Sequence, residues 1–191
     1  MRTTSHYMIG LLLVLPAILP ACASNSPFPT EIRDKVAPTF DFQAWRDASP
    51  SNPGGKSGSG TKVELGGRIV QVSKDSKGIL IVAEQLPIVN RPVYGPTDSG
   101  TRKGEYEFAF LYPAELAPDT LRNGNRFVMI GTTSGRKPVV VNGAPKTEPY
   151  LVADCIHVWQ TGRTEISEFK ESAGAGNSPL PEVTSCAPKK H

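Results

Sequence analysis

Between residues 61 and 160 apolar positions recur at every second residue in short runs, and turn-forming residues separate the runs. That is the period of half-buried strands, whose side chains point to opposite faces in succession. "TKVELGGRIVQVS" puts Val63 and Leu65 on one face, then the pair Gly66-Gly67 before Ile69. Glycines inside a strand mark a bulge or a sharp bend. "SKDSKG" reads as a hairpin turn, and "ILIVAEQLPI" as a near-continuous apolar strand ended by Pro87. After a polar loop over 90–104, "EYEFAFLY" alternates strictly, with Tyr106, Phe108, Phe110 and Tyr112 on one side. "PAELAPDTLRNG" predicts a short helical turn closed at Gly124. Further strands follow in "RFVMIGTTSG", which ends in a turn, in "KPVVVN" and, after "GAPKTEP", in "YLVADCIHVWQ". Five or six short strands so punctuated predict an all-β domain, a small antiparallel OB-like barrel first and a split sandwich second. The bend at Gly66-Gly67 favours the barrel, because one strand must curve to close the sheet.

The flanks have a different texture. Residues 22–60 read as a tether, rich in proline and glycine at "SPFPT", "SPSNPGG" and "KSGSG". Within it, however, "IRDKVAPTFDFQAW" carries Ile32, Val36, Phe40, Phe42 and Trp45, side chains that rarely stay wet. This part is expected to dock on the domain, with a short helical turn capped by Thr30. Beyond Thr161 large apolar residues become scarce, and 161–191 reads as a disordered tail.

The N-terminus carries one further apolar run, Met8 to Ala21, behind Arg2. It falls short of the ~20 apolar residues a spanning helix needs. Pro16 and Pro20 would each remove an amide donor from such a helix. A positive start, a short apolar stretch and small residues after it make a secretory signal peptide over 1–21. Leu19-Pro20-Ala21-Cys22 resembles a bacterial lipobox, although Pro20 is unusual at its place. In that chemistry the cysteine sulfur takes a diacylglycerol thioether, the chain is cut before Cys22, and the new amine is acylated. One acyl chain holds a protein only marginally, whereas two or three on a single residue anchor it firmly. Ala23 stands where an aspartate would signal retention in the inner membrane, which points to the outer membrane.

Composition changes the picture little. Removing the signal from the 191 residues leaves about 170, enough for one domain with tails. The formal charge of +3 falls to +2 with the loss of Arg2, too near neutral to give a strong field for nucleic acid or anionic lipid. The three cysteines matter more. With Cys22 acylated, Cys155 and Cys186 remain in an oxidising compartment, where they can pair and pin the tail to the body.

Gly66-Gly67-Arg68-Ile69-Val70, Phe110-Leu111-Tyr112-Pro113-Ala114, and Asn123-Gly124-Asn125-Arg126-Phe127 running into Ile130-Gly131-Thr132 form an ordered series, which Tyr150-Leu151-Val152 and Ile156-His157-Val158-Trp159 complete. In these motifs residues 61–160 resemble the Slp family of starvation-inducible outer-membrane lipoproteins, and the lipobox agrees independently. The stretch 46–60 and the tail 161–191 depart from the compact family pattern. The resemblance implies a lipid-anchored envelope protein tied to stress physiology. It supplies no catalytic residue; only Cys22 carries over as a functional position.

Candidate chemistry elsewhere is thin. "GGKSGSGTK" lacks the first glycine of a P-loop, since Pro50 stands there, and reads as a linker. Cys155 and His157 share a strand face, but two ligands are too few for a closed zinc site. As a nucleophile–base pair they would need further partners, so ordinary packing is the preferred reading. Glu105 and Glu107 also share a face, at the spacing of a glycosidase carboxylate pair. The stripe Tyr106, Phe108, Phe110, Tyr112 can be a ligand-facing platform for a glycan or an apolar metabolite; burial in the core is preferred. The leading expectation is a non-enzymatic lipoprotein at the periplasmic face of the outer membrane. It would carry covalent diacylglycerol and N-acyl groups on Cys22 and need no other cofactor and no metal. Its partner would be an envelope protein or an apolar or glycan ligand. The alternatives are a peptidoglycan hydrolase acting through Glu105 or Glu107, and an adaptor that recruits proteins along an open sheet edge.

Overall fold

A computed structural model describes residues 26–48, 60–88, 95–97, 106–163 and 180–188. Cys22, Glu105, the signal segment, the "GGKS" stretch and residues 164–179 lie outside these. Two short helices, α1 (Thr30–Arg33) and α2 (Phe42–Asp47), precede six strands: β1 (Lys62–Asp75), β2 (Gly78–Leu86), β3 (Glu107–Tyr112), β4 (Arg126–Val141), β5 (Ala144–Trp159) and β6 (Glu182–Cys186).

Five strands close into a ring in the order β1-β2-β3-β5-β4 and back to β1. Every pairing in it is antiparallel except β3 with β5, which run parallel through Ala109–Tyr150, Phe110–Leu151 and Leu111–Val152. This is the Greek-key barrel of the OB type anticipated from the strand pattern. Closure depends on β1, which pairs with β4 over Lys62–Arg68 and with β2 from Gly66 onward. Gly66-Gly67 sits where the strand serves both neighbours. A Cβ on Gly67 would lie 2.7 Å from the Glu84 carbonyl oxygen and 2.8 Å from the Phe127 ring, so only glycine lets β1 bend this close.

The barrel interior holds Val63, Leu65, Ile69, Ile81, Phe108, Phe110, Phe127, Met129, Leu151, Ile156 and Val158, all buried. The N-terminal segment closes one end of it. Asp41 caps α2, its Oδ1 accepting from the Ala44 N–H at 3.0 Å. The helix thereby drives Phe42 and Trp45 into the core, where Phe42 stands edge-on to Phe108 with ring centroids 5.7 Å apart. Earlier in the segment, Phe28 packs on the outer face of β4 and β5 against Val128, Ile130 and Trp159. Residues 26–48 are therefore part of the folded body rather than free tether. The helix after Thr30 forms, but Pro29 holds the capping position and Thr30 is its first residue.

Three local expectations change. Ser134-Gly135 does not end a strand: β4 runs through to Val141 with a register shift between Thr133 and Arg136, and Gly135 supplies the positive φ of 81°. The turn lies at Asn142-Gly143, both at positive φ (50° and 82°), as a two-residue hairpin requires. "PAELAPDTLRNG" forms successive turns in which the Thr120 and Leu121 N–H groups donate to Ala117 and Pro118 carbonyls. Finally, residues 182–186 of the presumed disordered tail form β6, antiparallel to β5 from Cys155–Cys186 to Trp159–Glu182.

Candidate functional site

The aromatic stripe of β3 divides. Phe108, Phe110 and Tyr112 are fully buried inside the barrel, with Phe108 stacked on Phe110 and Phe110 tilted against Phe127 at 5.2 Å. Tyr112 reaches outward only by its hydroxyl, which shares a 2.6 Å hydrogen bond with Ser185 on β6; burial pushes its pKa up. Tyr106 stands apart at the rim. Gln43 Nε2 donates to its hydroxyl at 3.1 Å and the Arg46 guanidinium lies 4.9 Å from its ring centroid. It lines an open groove of about 700 Å³ with Phe40, Phe42, Gln85 and Pro87.

The opposite side of β3 carries Glu107 and Ala109. In OB folds the outer face of strands 2 and 3, flanked by the β1–β2 and β4–β5 loops, is the usual ligand surface. Here the long β4–β5 hairpin covers it. Val139 and Val141 pack on Val82 and Ala109. Gln71 Nε2 donates to the Val140 carbonyl at 2.7 Å, and Lys137 Nζ donates to Asp75 at 2.7 Å. Glu107 is 8% exposed and receives a hydrogen bond from Lys146 on the same hairpin. That bond holds the Lys146 pKa up. Its cross-strand neighbour Glu84, 6% exposed, is paired with Arg68 at 3.1 Å. Both carboxylates are thus buried and paired with cations.

Cys155 and Cys186 are joined by a disulfide across β5 and β6. Cys155 therefore has no thiolate, and the nucleophile and metal-ligand readings of Cys155 with His157 fall together. His157 is buried beside the bridge. Its Nδ1 is 2.7 Å from Thr184 Oγ1, its Nε2 is 3.6 Å from Glu182, and its ring meets Trp159 edge-on at 4.2 Å. Burial pushes its pKa down, and Glu182 partly offsets this. Among the described residues no group of three or more His, Cys, Asp or Glu side chains could hold a metal ion.

One further concavity was not legible in the sequence, because its walls come from both ends of the chain. A groove of about 580 Å³ opens between α1, the start of β1, the β3–β5 junction and the residues after β6. Its lining combines the apolar Ile32, Leu111, Val152 and Pro188 with Lys35, Lys62 and Lys77. Lys62 donates to Asp154 at 2.7 Å.

Fold and sites together define a small OB-like barrel whose customary ligand face is partly covered by its own hairpin, with an open groove of about 650 Å³ left between Gln71, Asp75 and Leu80 on one side and Lys137, Val139 and Lys146 on the other, and whose last described strand is pinned by a disulfide. The family model of the outer membrane lipoprotein Slp family matches residues 19–184, and the chain belongs to that family. No curated protein and no solved structure matches the chain. Among the described residues no helix is long and apolar enough to cross a membrane.

Proposed function

We propose that this outer-membrane lipoprotein is held at the periplasmic face through acyl groups on Cys22, and that it acts without catalysis in envelope binding or stress. The observation that carries the reading is the family match, which begins at Leu19 and so runs through Leu19-Pro20-Ala21-Cys22. Cleavage of the Ala21–Cys22 peptide bond frees an amine beside the lipid-bearing sulfur, and each buried methylene of the chains contributes about 0.8 kcal/mol to anchoring. A non-catalytic role is supported by the pairing and burial of Glu84, Glu107 and the Cys155–His157 neighbourhood. The partner is an envelope protein or an apolar or glycan ligand. Replacing Cys22 with Ser in cells fed labelled palmitate tests the anchor. The wild-type chain takes up label and fractionates with the outer membrane, while Cys22→Ser does neither. Label on the variant, or its retention in the outer membrane, overturns the reading.

A further inference from the structure

We infer that the groove between α1 and the β3–β5 junction is the membrane-facing surface of the barrel, and that it seats on anionic phospholipid of the leaflet that holds Cys22. The inference rests on the anchoring proposed above. Whatever path residues 22–26 take, four residues span at most about 14 Å, so Cys22 stays within that distance of Ser26. Two residues on, Phe28 is buried against β4 and β5, and Pro29 opens α1. The anchor is thus not on a long leash: α1 is fixed to the body within a few residues of the lipid. The Ala37 N–H donates to the Lys62 carbonyl at 2.9 Å, tying the end of this segment to β1 at the groove.

The groove's chemistry fits the surface it is brought to. Its lining includes the apolar Ile32, Leu111, Val152 and Pro188, and Lys35 and Lys77, which also line it, are exposed. Glu31 and the Lys62–Asp154 pair also line it, leaving an excess of one positive charge. Two more lysines, Lys189 and Lys190, follow Pro188 directly in the chain. α1, which follows the lipid-bearing end in the chain, and Pro188, which precedes Lys189-Lys190, therefore line the same concavity. Lysines near an anionic leaflet contribute favourably at short range, and their stems lie along apolar surface.

The test uses the full acylated protein in phosphatidylcholine vesicles with and without phosphatidylglycerol. A photo-crosslinking side chain replaces Lys35 in one sample and Arg122 in another. Both positions are exposed. Arg122 precedes β4, whose first residue lies about 20 Å along the strand from Thr132, the partner of Lys62. The inference expects phospholipid adducts at position 35, more of them when phosphatidylglycerol is present, and none at position 122. An acylated protein with adducts at 122, with none at 35, or with only protein or its own acyl chain captured at 35 overturns the orientation while leaving the anchor intact. A mass without acyl chains overturns the anchoring first, and the orientation with it.

Discussion

Replacing Phe42 with Ala should detach the N-terminal segment from the barrel at a cost large enough to measure. Phe42 is 8% exposed and stands edge-on to both Phe108 and Trp45, each 5.7 Å away between ring centroids. Removing a buried phenylalanine side chain forfeits about 1.5–3 kcal/mol of transfer free energy. Each lost ring pair adds roughly 0.5–1.5 kcal/mol. α2 is only six residues long and can settle inward, so the lower part of the usual 3–5 kcal/mol range for Phe→Ala applies, about 3 kcal/mol. With a urea slope of about 2 kcal/mol/M the unfolding midpoint should fall by about 1.5 M. The assay is urea unfolding of the acylated protein in detergent, followed by Trp45 and Trp159 fluorescence, with Gln43→Ala on the exposed side of the same helix as control. If Phe42→Ala moves the midpoint no further than Gln43→Ala does, residues 26–48 are a tether after all.

Two other outcomes follow from the β5–β6 seam. Cys186→Ser opens a loop of sequence separation 31, and by the chain-entropy relation it should lower stability by up to roughly 3–4 kcal/mol. Reduced wild-type protein should match the variant in urea, and an unchanged midpoint in both would contradict the bridge. His157 has a folded pKa depressed below its ordinary 6.5 by burial, so the unfolded chain binds the proton more readily. Its contribution to stability is therefore full above about pH 6.5 and is lost as pH falls through the lower folded value. Unfolding midpoints between pH 7.5 and pH 5 should decline in the wild type more steeply than in His157→Gln; parallel slopes would contradict this.

Where a side chain's partner lies nearby in sequence or on the same strand, the sequence was informative. Strict alternation in β3 and the Gly66-Gly67 bend pointed to a closed barrel because both follow from local backbone geometry. The pattern breaks β4 at Ser134-Gly135 and reads "GAPKTEP" as a separator, whereas Pro138, Pro145 and Pro149 all lie within the two long strands that form. They are tolerated because this part of the hairpin extends beyond the ring, where a missing amide leaves no ladder gap. The Asn142-Gly143 pair was the available signal. β6 was invisible for another reason. "EVTSC" has one large apolar residue, Val183, and becomes a strand only through β5 and the Cys155 bridge. Likewise, nothing local links Ile32 with Leu111 and Pro188; the groove exists only once both termini are folded onto the barrel.

The most direct measurement is the mass of the N-terminal peptide of the protein isolated from cell envelopes. The account predicts a chain that begins at Cys22 and carries a diacylglyceryl group on sulfur and an acyl group on nitrogen. A chain that begins elsewhere, or an unmodified Cys22, would contradict it.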